Sequence, residues 1–230
     1  MPVSAASPDA NERGVYERIM TACHRSVANR GPAGHFHSRK QRRSVSWSRH
    51  SPVHLIKSLE LDPRVTRYEP NPDPLLFTEL AGSPTYRAAI ECELTDGRRV
   101  LLAIGLPMGL EERDVERFTG LAQRAAKRVN KSFRTLPAGA IGAQERRNAS
   151  AILRVADQRP AGETLDAIRD LLRGAPRGCT IAQLQGACRG AIDCLAALNQ
   201  MAATREIAFD LTRPTLGDCT VRLASVREPA

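Results

Sequence analysis

The sequence is short of aromatic residues. Phe, Trp and Tyr make up 4% of the 230 residues, so a hydrophobic core has to be built mostly from Leu, Ile, Val and Ala. No stretch approaches the ~18 consecutive apolar residues of a membrane-spanning helix. The first twenty residues also have no basic segment followed by an apolar run, which a secretory signal would need. These absences predict a soluble, cytoplasmic protein with no membrane partner.

Paired C-x-x-C motifs are absent as well, although the chain has six cysteines. In a chain of this length the pattern favours reduced, mostly buried thiols. Two histidine pairs, His35-x-His37 and His50-x3-His54, invite a metal interpretation, because histidines at positions i and i+4 of a helix can bind zinc. However, the Ser-Pro step after His50 places it outside the expected helix, and no Cys or acid completes a tetrahedral set. We therefore expect no metal site of this kind.

Positive charge is in clear excess. The net charge is +9, and +7 of it lies in residues 1–136. Such a balance predicts a polyanionic partner, above all nucleic acid. The alternative is an Arg-rich surface that contacts solvent and binds no polyanionic partner.

Two segments concentrate this charge. Five cations fall between positions 39 and 49 with no acid and with one tryptophan among them, and four more close the predicted helix 111–133. Cations neutralise phosphates and release counterions, and an aromatic ring can stack on a base. A solvated flexible loop is the alternative for the first segment. The predicted DNA-binding residues are Arg39, Lys40, Arg42, Arg43, Trp47, Arg49, Arg124, Lys127, Arg128 and Lys131.

The apolar pattern divides the chain into a tail with a short helix (residues 1–28) and two units. In the first unit, residues 29–136, the basic stretch 29–51 is loop-like, with a short extended piece near Val45 and Trp47. A helix over 52–61 follows, with Ser51 as N-cap. Residues 65–72 are predicted to be extended and to lead into a Pro-rich turn. Three strands are predicted over 75–80, 85–94 and 99–104, then a helix over 111–133 and a strand over 133–137. Asp96-Gly97 is a hairpin signal. This order predicts an α/β sandwich.

The second unit, residues 137–230, has a different pattern. A linking helix is followed by three helices, over 162–178, 180–190 and 191–204, and by two short strands. This succession is typical of a winged helix-turn-helix domain. Thr180 is a predicted helix cap. Ile192, Leu195, Leu198 and Met201 are predicted to share one buried face of the third helix. That helix has few cations, so it could dock either DNA or protein.

Several segments occur in an order that resembles the TnsA-type transposon endonucleases. They are "GHFHSRKQRRSVSWSRHS", "LELDPRVTRYEPNP", "TYRAAIECELTDGRRVLLAIG", "RRNASAIL" and "REIAFDLTRPTLGDCTVRL". Members of that family make the second-strand cuts at transposon ends. The resemblance implies a restriction-endonuclease-like mixed sheet flanked by helices, followed by a C-terminal winged helix-turn-helix domain. It also implies DNA as a partner, together with a DDE transposase or an AAA+ regulator.

The catalytic pattern of the family does not carry over. The family needs a helix Glu, a strand Asp and a Glu-x-Lys or Gln-x-Lys pair, which hold Mg²⁺ and orient the attacking water. Here Ala89 stands at the Asp, Ala103 at the strand Glu and Gly105 at the Lys, and the helix Glu would fall near Pro52 or His54. The resemblance therefore implies a catalytically inactive, cofactor-free subunit that binds DNA and proteins in a transposon or other mobile element.

The sequence leaves two alternatives open. Glu91 and Glu93 alternate along a strand with Ala89, so they could be relocated ligands for Mg²⁺, together with Glu60 or Asp62, in an active endonuclease. Otherwise they form a solvated strand face paired with neighbouring arginines. A TnsA-like fold could also serve an unrelated structural or regulatory task.

Overall fold

The computed structural model describes residues 17–21, 33–48, 52–105, 110, 114–155, 157–188 and 190–224. These residues form a mixed α/β protein with a four-stranded mixed sheet flanked by helices and a separate three-stranded sheet. Within these ranges no helix combines the length and the apolar character needed to cross a membrane.

The first unit is built around the four-stranded sheet. Its elements are β1 (Ala33–Ser38), β2 (Arg43–Ser48), α1 (Val53–Leu61), β3 (Val65–Pro70), β4 (Leu75–Leu76), β5 (Thr85–Tyr86), β6 (Ile90–Leu94), β7 (Arg99–Ile104), α2 (Val115–Arg128) and β8 (Ser132–Leu136). The strand order of the sheet is β3-β6-β7-β8. The first three of these strands are antiparallel, and β8 is parallel to β7, which α2 makes possible as a crossover.

The two faces of this sheet carry two different cores. Because side chains alternate along a strand, Tyr68 and Cys92 face α1 and the β1–β2 hairpin, whereas Leu101 and Phe133 face α2. Residues 17–21 are helical, and Ile19 is fully buried in the α2-side core. The remainder of the predicted N-terminal helix lies outside the described residues.

The second unit contains four helices and a three-stranded antiparallel sheet in its described part. Its elements are α3 (Ala143–Leu153), α4 (Gly162–Gly174), β9 (Cys179–Thr180), α5 (Ile181–Gly186), α6 (Ala191–Ala203), β10 (Ile207–Asp210) and β11 (Thr220–Leu223), with sheet order β10-β11-β9. The predicted cap is confirmed. Thr180 Oγ1 accepts from the Gln183 amide at 3.2 Å, and the Gln183 side chain accepts from the Thr180 amide at 2.8 Å.

The two units are packed together through α1. This helix contacts both α3 and α6. Its last residue, Leu61, is 3% exposed and belongs to the core of the second unit, beside Ile152 and Met201. Phe36 of β1 packs against the cores of both units. Helix α1 of the first unit therefore also completes the core of the second unit.

The basic stretch, predicted to be loop-like with a short extended piece near Val45 and Trp47, is an antiparallel hairpin in its described part, and the predicted extended piece is its second strand. Phe36 of β1 is paired with Val45 of β2. Val45 is 2% exposed and packs against the α1-side core, as Phe36 and Trp47 do in part. Apolar residues at alternate positions supply a buried face for this hairpin, and the flanking Gly and basic residues obscured it in the sequence.

Other predicted boundaries were too long. The helix predicted over 111–133 is Val115–Arg128 in the described part, because Asn130 takes a left-handed conformation (φ 55°) and ends it. Phe133 belongs to β8. The strand predicted over 75–80 ends at Leu76, since turns follow in which the Leu80 amide donates to the Phe77 carbonyl. The strand predicted over 85–94 is divided into β5 and β6.

Candidate catalytic positions and candidate nucleic-acid interface

The positions where the family would hold its metal lie inside apolar cores. Ala89, just before β6, is 0% exposed; its amide donates to the Leu102 carbonyl at 2.8 Å, and it packs in the α1-side core. Ala103 of β7 is also 0% exposed and packs in the α2-side core. Gly105 follows β7 with φ +65°, a conformation that disfavours lysine. The two alanines are therefore closed off from solvent by the packing of the described residues.

Glu91, one of the two candidate relocated ligands, is already neutralised. The residue is 8% exposed, and its carboxylate forms ion pairs with Arg99 and with Lys131, the latter at 2.7 Å. Glu93 is exposed and lies in register with Arg67 across β3 and β6. The expectation that these acids pair with nearby cations holds for Glu91, with Lys131 as a partner that the sequence did not suggest.

A third acid, Glu60 of α1, is the centre of a buried polar cluster. Its carboxylate accepts hydrogen bonds from Ser38 Oγ at 2.7 Å, from Tyr68 Oη at 2.7 Å and from the Lys40 amide at 2.9 Å. Tyr68 and Glu91 occupy opposite faces of the sheet, so Glu60 and Glu91 cannot converge on one ion. Across the described ranges, no group of three His, Cys, Asp or Glu residues could hold a metal.

Lys40, a predicted DNA contact, points into the fold. Its ammonium donates to the carbonyls of Leu59 at 2.8 Å and Asp62 at 2.7 Å, at the C-terminal end of α1, where a cation suits the helix dipole. Burial lowers its pKa to about 8, although Glu60 and Asp62 act in the opposite direction. Burial and the adjacent Glu60 likewise raise the pKa of Tyr68. Lys40 therefore joins the hairpin to α1.

The other predicted residues of the hairpin are largely engaged as well. Arg39 donates to the Gln158 carbonyl at 3.0 Å in the second unit, and Arg43 forms an ion pair with Glu69. The Trp47 ring covers Gly34, where an added Cβ would lie 2.8 Å from it. Arg42, at φ 53°, is exposed at the turn. Arg49 lies outside the described residues.

The predicted cations at the end of α2 contact acids of their own unit. Arg124 and Arg128 both pair with Glu79, and Arg128 also donates to Thr78 Oγ1 at 2.9 Å. Lys127 is exposed. The α2 helix and the hairpin pack against opposite faces of the sheet, so the two basic segments do not form one continuous patch.

One cation from each basic segment pairs with an acid of the sheet. Glu69 of β3 is directly in register with Glu91 of β6. Arg43 pairs with the first of these acids and Lys131 with the second. These two cations therefore neutralise carboxylates on neighbouring strands.

The fourth helix of the second unit, α6, is mostly covered by other elements of the chain, and only its start is exposed. It contacts α1, α3, α4, α5 and β10. Leu198 and Met201 are fully buried as predicted, but Ile192 is 63% exposed, so the predicted face was wrong at its first position. Cys194 and Ala197 complete the buried face. Asn199 Nδ2 donates to the Ile152 carbonyl at 3.1 Å, so this side chain is unavailable to a base.

One structural residue was not predicted from the sequence. Asn148 of α3 is 3% exposed, and its Nδ2 donates to the carbonyls of Leu211 at 2.9 Å and Arg213 at 3.0 Å. Its Oδ1 accepts from Gln144 Nε2 at 3.0 Å. An amide at a core-facing position of an amphipathic helix was the available signal. Asn148 fixes the loop 211–219 between β10 and β11 against α3.

Comparison of the chain with protein-family models finds no matching family, and comparison with curated proteins finds no match. What these residues do has to be judged from their own geometry and chemistry.

Proposed function

We propose that the chain is a catalytically inactive TnsA-like protein that binds DNA and partner proteins of a transposon or other mobile element. The observation that carries the inactive part of the proposal is that Ala89 and Ala103, the positions at which the resembled family would place metal-binding carboxylates, are fully buried in cores on opposite faces of the sheet. Alanine offers no oxygen ligand for Mg²⁺, and the apolar packing leaves no room for an ion and its waters.

The order of elements supports the TnsA-like part of the proposal. The succession α1-β3-β6-β7-α2-β8, with three antiparallel strands and a fourth parallel one, agrees with the restriction-endonuclease-like arrangement that the resemblance implies. The succession α4-β9-α5-α6-β10-β11, with sheet order β10-β11-β9, agrees with a winged helix.

The alternative, an Mg²⁺-dependent endonuclease with relocated carboxylates, has less support. A metal at Glu91 would have to displace Lys131 and Arg99, which already neutralise the carboxylate. Glu93 lies on the exposed end of β6, and Glu60 is saturated by donors on the other face. One Mg²⁺ needs several oxygens around a single point. The geometry therefore favours binding over cleavage.

DNA is the partner that the charge favours, and a DDE transposase or an AAA+ regulator is the protein partner that the resemblance implies. The test for DNA is fluorescence anisotropy of a labelled random duplex titrated with the chain at several salt concentrations. We expect binding that weakens as salt increases, with a log–log slope of about −0.9 for each phosphate contact. Absence of binding even at low salt would overturn the proposal.

A further inference from the structure

Helix α3 presents a row of arginines on the side away from its core. Its buried residues recur at helical spacing, which leaves the opposite face to solvent. Arg146, Arg147 and Arg154 are exposed, with the partly exposed Ser150 between them. From Arg147 to Arg154 the row extends on the order of 10 Å, since an α-helix rises about 1.5 Å per residue. The core-facing residues are Asn148, Ala149, Ile152 and Leu153.

Helix α1 adds a cation to this row. Lys57 Nζ donates to Ser150 Oγ at 3.0 Å, which places the ammonium beside the middle of the row. On the same helix, burial and the nearby Arg146 lower the pKa of His54. The Glu145 carboxylate accepts from Ser58 Oγ at 3.3 Å, toward α1.

The loop 211–219 places a further arginine beside α3, near Asn148. Arg147 donates to Gln144, Gln144 donates to Asn148, and Asn148 donates to the Arg213 carbonyl, so the loop is held next to α3. The Arg213 side chain is 55% exposed and pairs with Asp210 at 3.0 Å. The loop is therefore fixed in place with its arginine facing solvent.

We propose that these cations form a surface that binds the phosphate backbone of duplex DNA, here named the α3 basic stripe. The inference rests on the proposed function, because it takes DNA as the ligand. Five cations stand against three carboxylates, Glu145, Asp157 and Asp210, and two of these carboxylates already accept local hydrogen bonds. The members of the stripe are Lys57, Arg146, Arg147, Arg154 and Arg213.

Two features favour DNA over an acidic protein. Only Ser150 and Ala151 separate the arginines, so the stripe lacks the apolar centre of a protein–protein interface. A linear row of cations suits the regular spacing of phosphates, about 3.4 Å per nucleotide along each strand. Because most of α6 is buried and its exposed start consists of Ala191 and Ile192, the contacts at the stripe set affinity and carry little base information. Binding at the stripe is therefore nearly independent of sequence.

The test compares three variants of the full chain by anisotropy with one labelled duplex. The stripe variant is Arg146→Ala/Arg147→Ala/Arg154→Ala, and a second version carries Lys at the same positions. The matched control removes three exposed arginines that form local ion pairs elsewhere, namely Arg64, Arg98 and Arg173. We expect the Ala stripe variant to lose affinity by at least about tenfold and the salt slope to fall by about 0.9 for each phosphate that is no longer neutralised. The Lys version should retain most of the binding, and the control should change little.

The outcomes separate this inference from the proposed function. If the unmodified chain binds no DNA, both fail. If it binds and the stripe variant behaves as the control does, the inference alone is overturned. Loss of affinity in Arg42→Ala/Arg43→Ala with an unaffected stripe variant would move the site to the hairpin. If the Ala stripe variant loses binding to a polyglutamate peptide but still binds DNA, the stripe is a protein-binding site, and the inference is also overturned. Circular dichroism of each variant confirms that it is folded.

Discussion

The ammonium of Lys131 lies 2.7 Å from Oε2 of Glu91. One residue was a predicted DNA contact and the other a candidate metal ligand, and each satisfies the other within the fold. Arg99 is the second partner of the same carboxylate. The pair joins the start of β8 to the centre of the sheet. The two charged side chains therefore stabilise the fold.

Replacing Lys131 by Met should therefore destabilise the chain. Removal of one partner leaves a largely buried carboxylate less well compensated, which costs roughly 2–3 kcal/mol where a second cation remains. The exposed Lys127→Met on α2 is the matched control and should change the free energy of unfolding by less than about 0.5 kcal/mol. Urea denaturation measures both, and equal effects would contradict the assigned role of Lys131.

Placing the metal ligands of the resembled family at Ala89 and Ala103 should not create a nuclease. Ala89→Asp and Ala103→Glu place carboxylates at fully buried positions with no partner, which costs several kcal/mol, on the order of 3 or more, in the free energy of unfolding. The exposed Ala138→Glu is the control and should leave the melting temperature nearly unchanged. Thermal unfolding measures the cost. A stable double variant that cleaves DNA with Mg²⁺ would show that the core alanines line a latent site.

Much of the architecture could be predicted where local chemistry decides it. Thr180 caps its helix and Gly97 turns its hairpin with φ +78°, because both are set by residues close in sequence. The hairpin β1–β2 was harder to predict, because its apolar face is buried only by packing against Tyr68 and α1. The exposure of Ile192 likewise depends on which faces of α6 are covered by other helices.

The roles of charged residues were the least predictable from sequence. A basic run is consistent with DNA binding and with internal pairing alike, and only tertiary contacts distinguish the two. Lys40 donates to two carbonyls at the end of α1 that lie 19 and 22 residues away in sequence. Lys131 pairs with an acid 40 residues away. The α3 basic stripe was not predicted because its cations come from two helices and a loop.

The depressed pKa of Lys40 predicts a pH dependence of stability. The folded chain binds this proton less tightly than the unfolded chain, with a pKa of about 8 against 10.5. The free-energy cost of burying the protonated Lys40 is therefore fully present below pH 8. Above pH 8 the free energy of unfolding rises with pH up to 10.5. Burial raises the pKa of Cys92 to about 12, which acts in the opposite direction above pH 9.

The comparison with Lys40→Met isolates this contribution, because Cys92 and Tyr68 titrate in both proteins. Urea denaturation at a series of pH values from 7 to 10 provides the difference. We expect the unmodified chain to gain stability relative to Lys40→Met as pH increases from about 8 to 10, with little relative change between pH 7 and 8. A difference that stays constant with pH would show that the lysine is not shifted.

Leu61 should couple the stability of the two units. Because its side chain completes the core of the second unit from a helix of the first, Leu61→Ala should cost roughly 2–5 kcal/mol. Leu76→Ala, at an exposed leucine, is the control. In Leu61→Ala, residues 135–162 and the first unit should both become more sensitive to protease than they are in the unmodified chain. Two independent unfolding transitions, only one of which shifts, would contradict the coupling.

The most direct test of the central claim is nicking of supercoiled plasmid by the full chain with Mg²⁺ or Mn²⁺, under salt conditions in which anisotropy shows that the DNA is bound. We predict that the plasmid stays supercoiled, since the ligand positions are alanines in closed cores and Glu91 is held by Lys131 and Arg99. Metal-dependent nicking that is lost in Glu91→Gln, at unchanged DNA affinity, would contradict the account and establish an active nuclease.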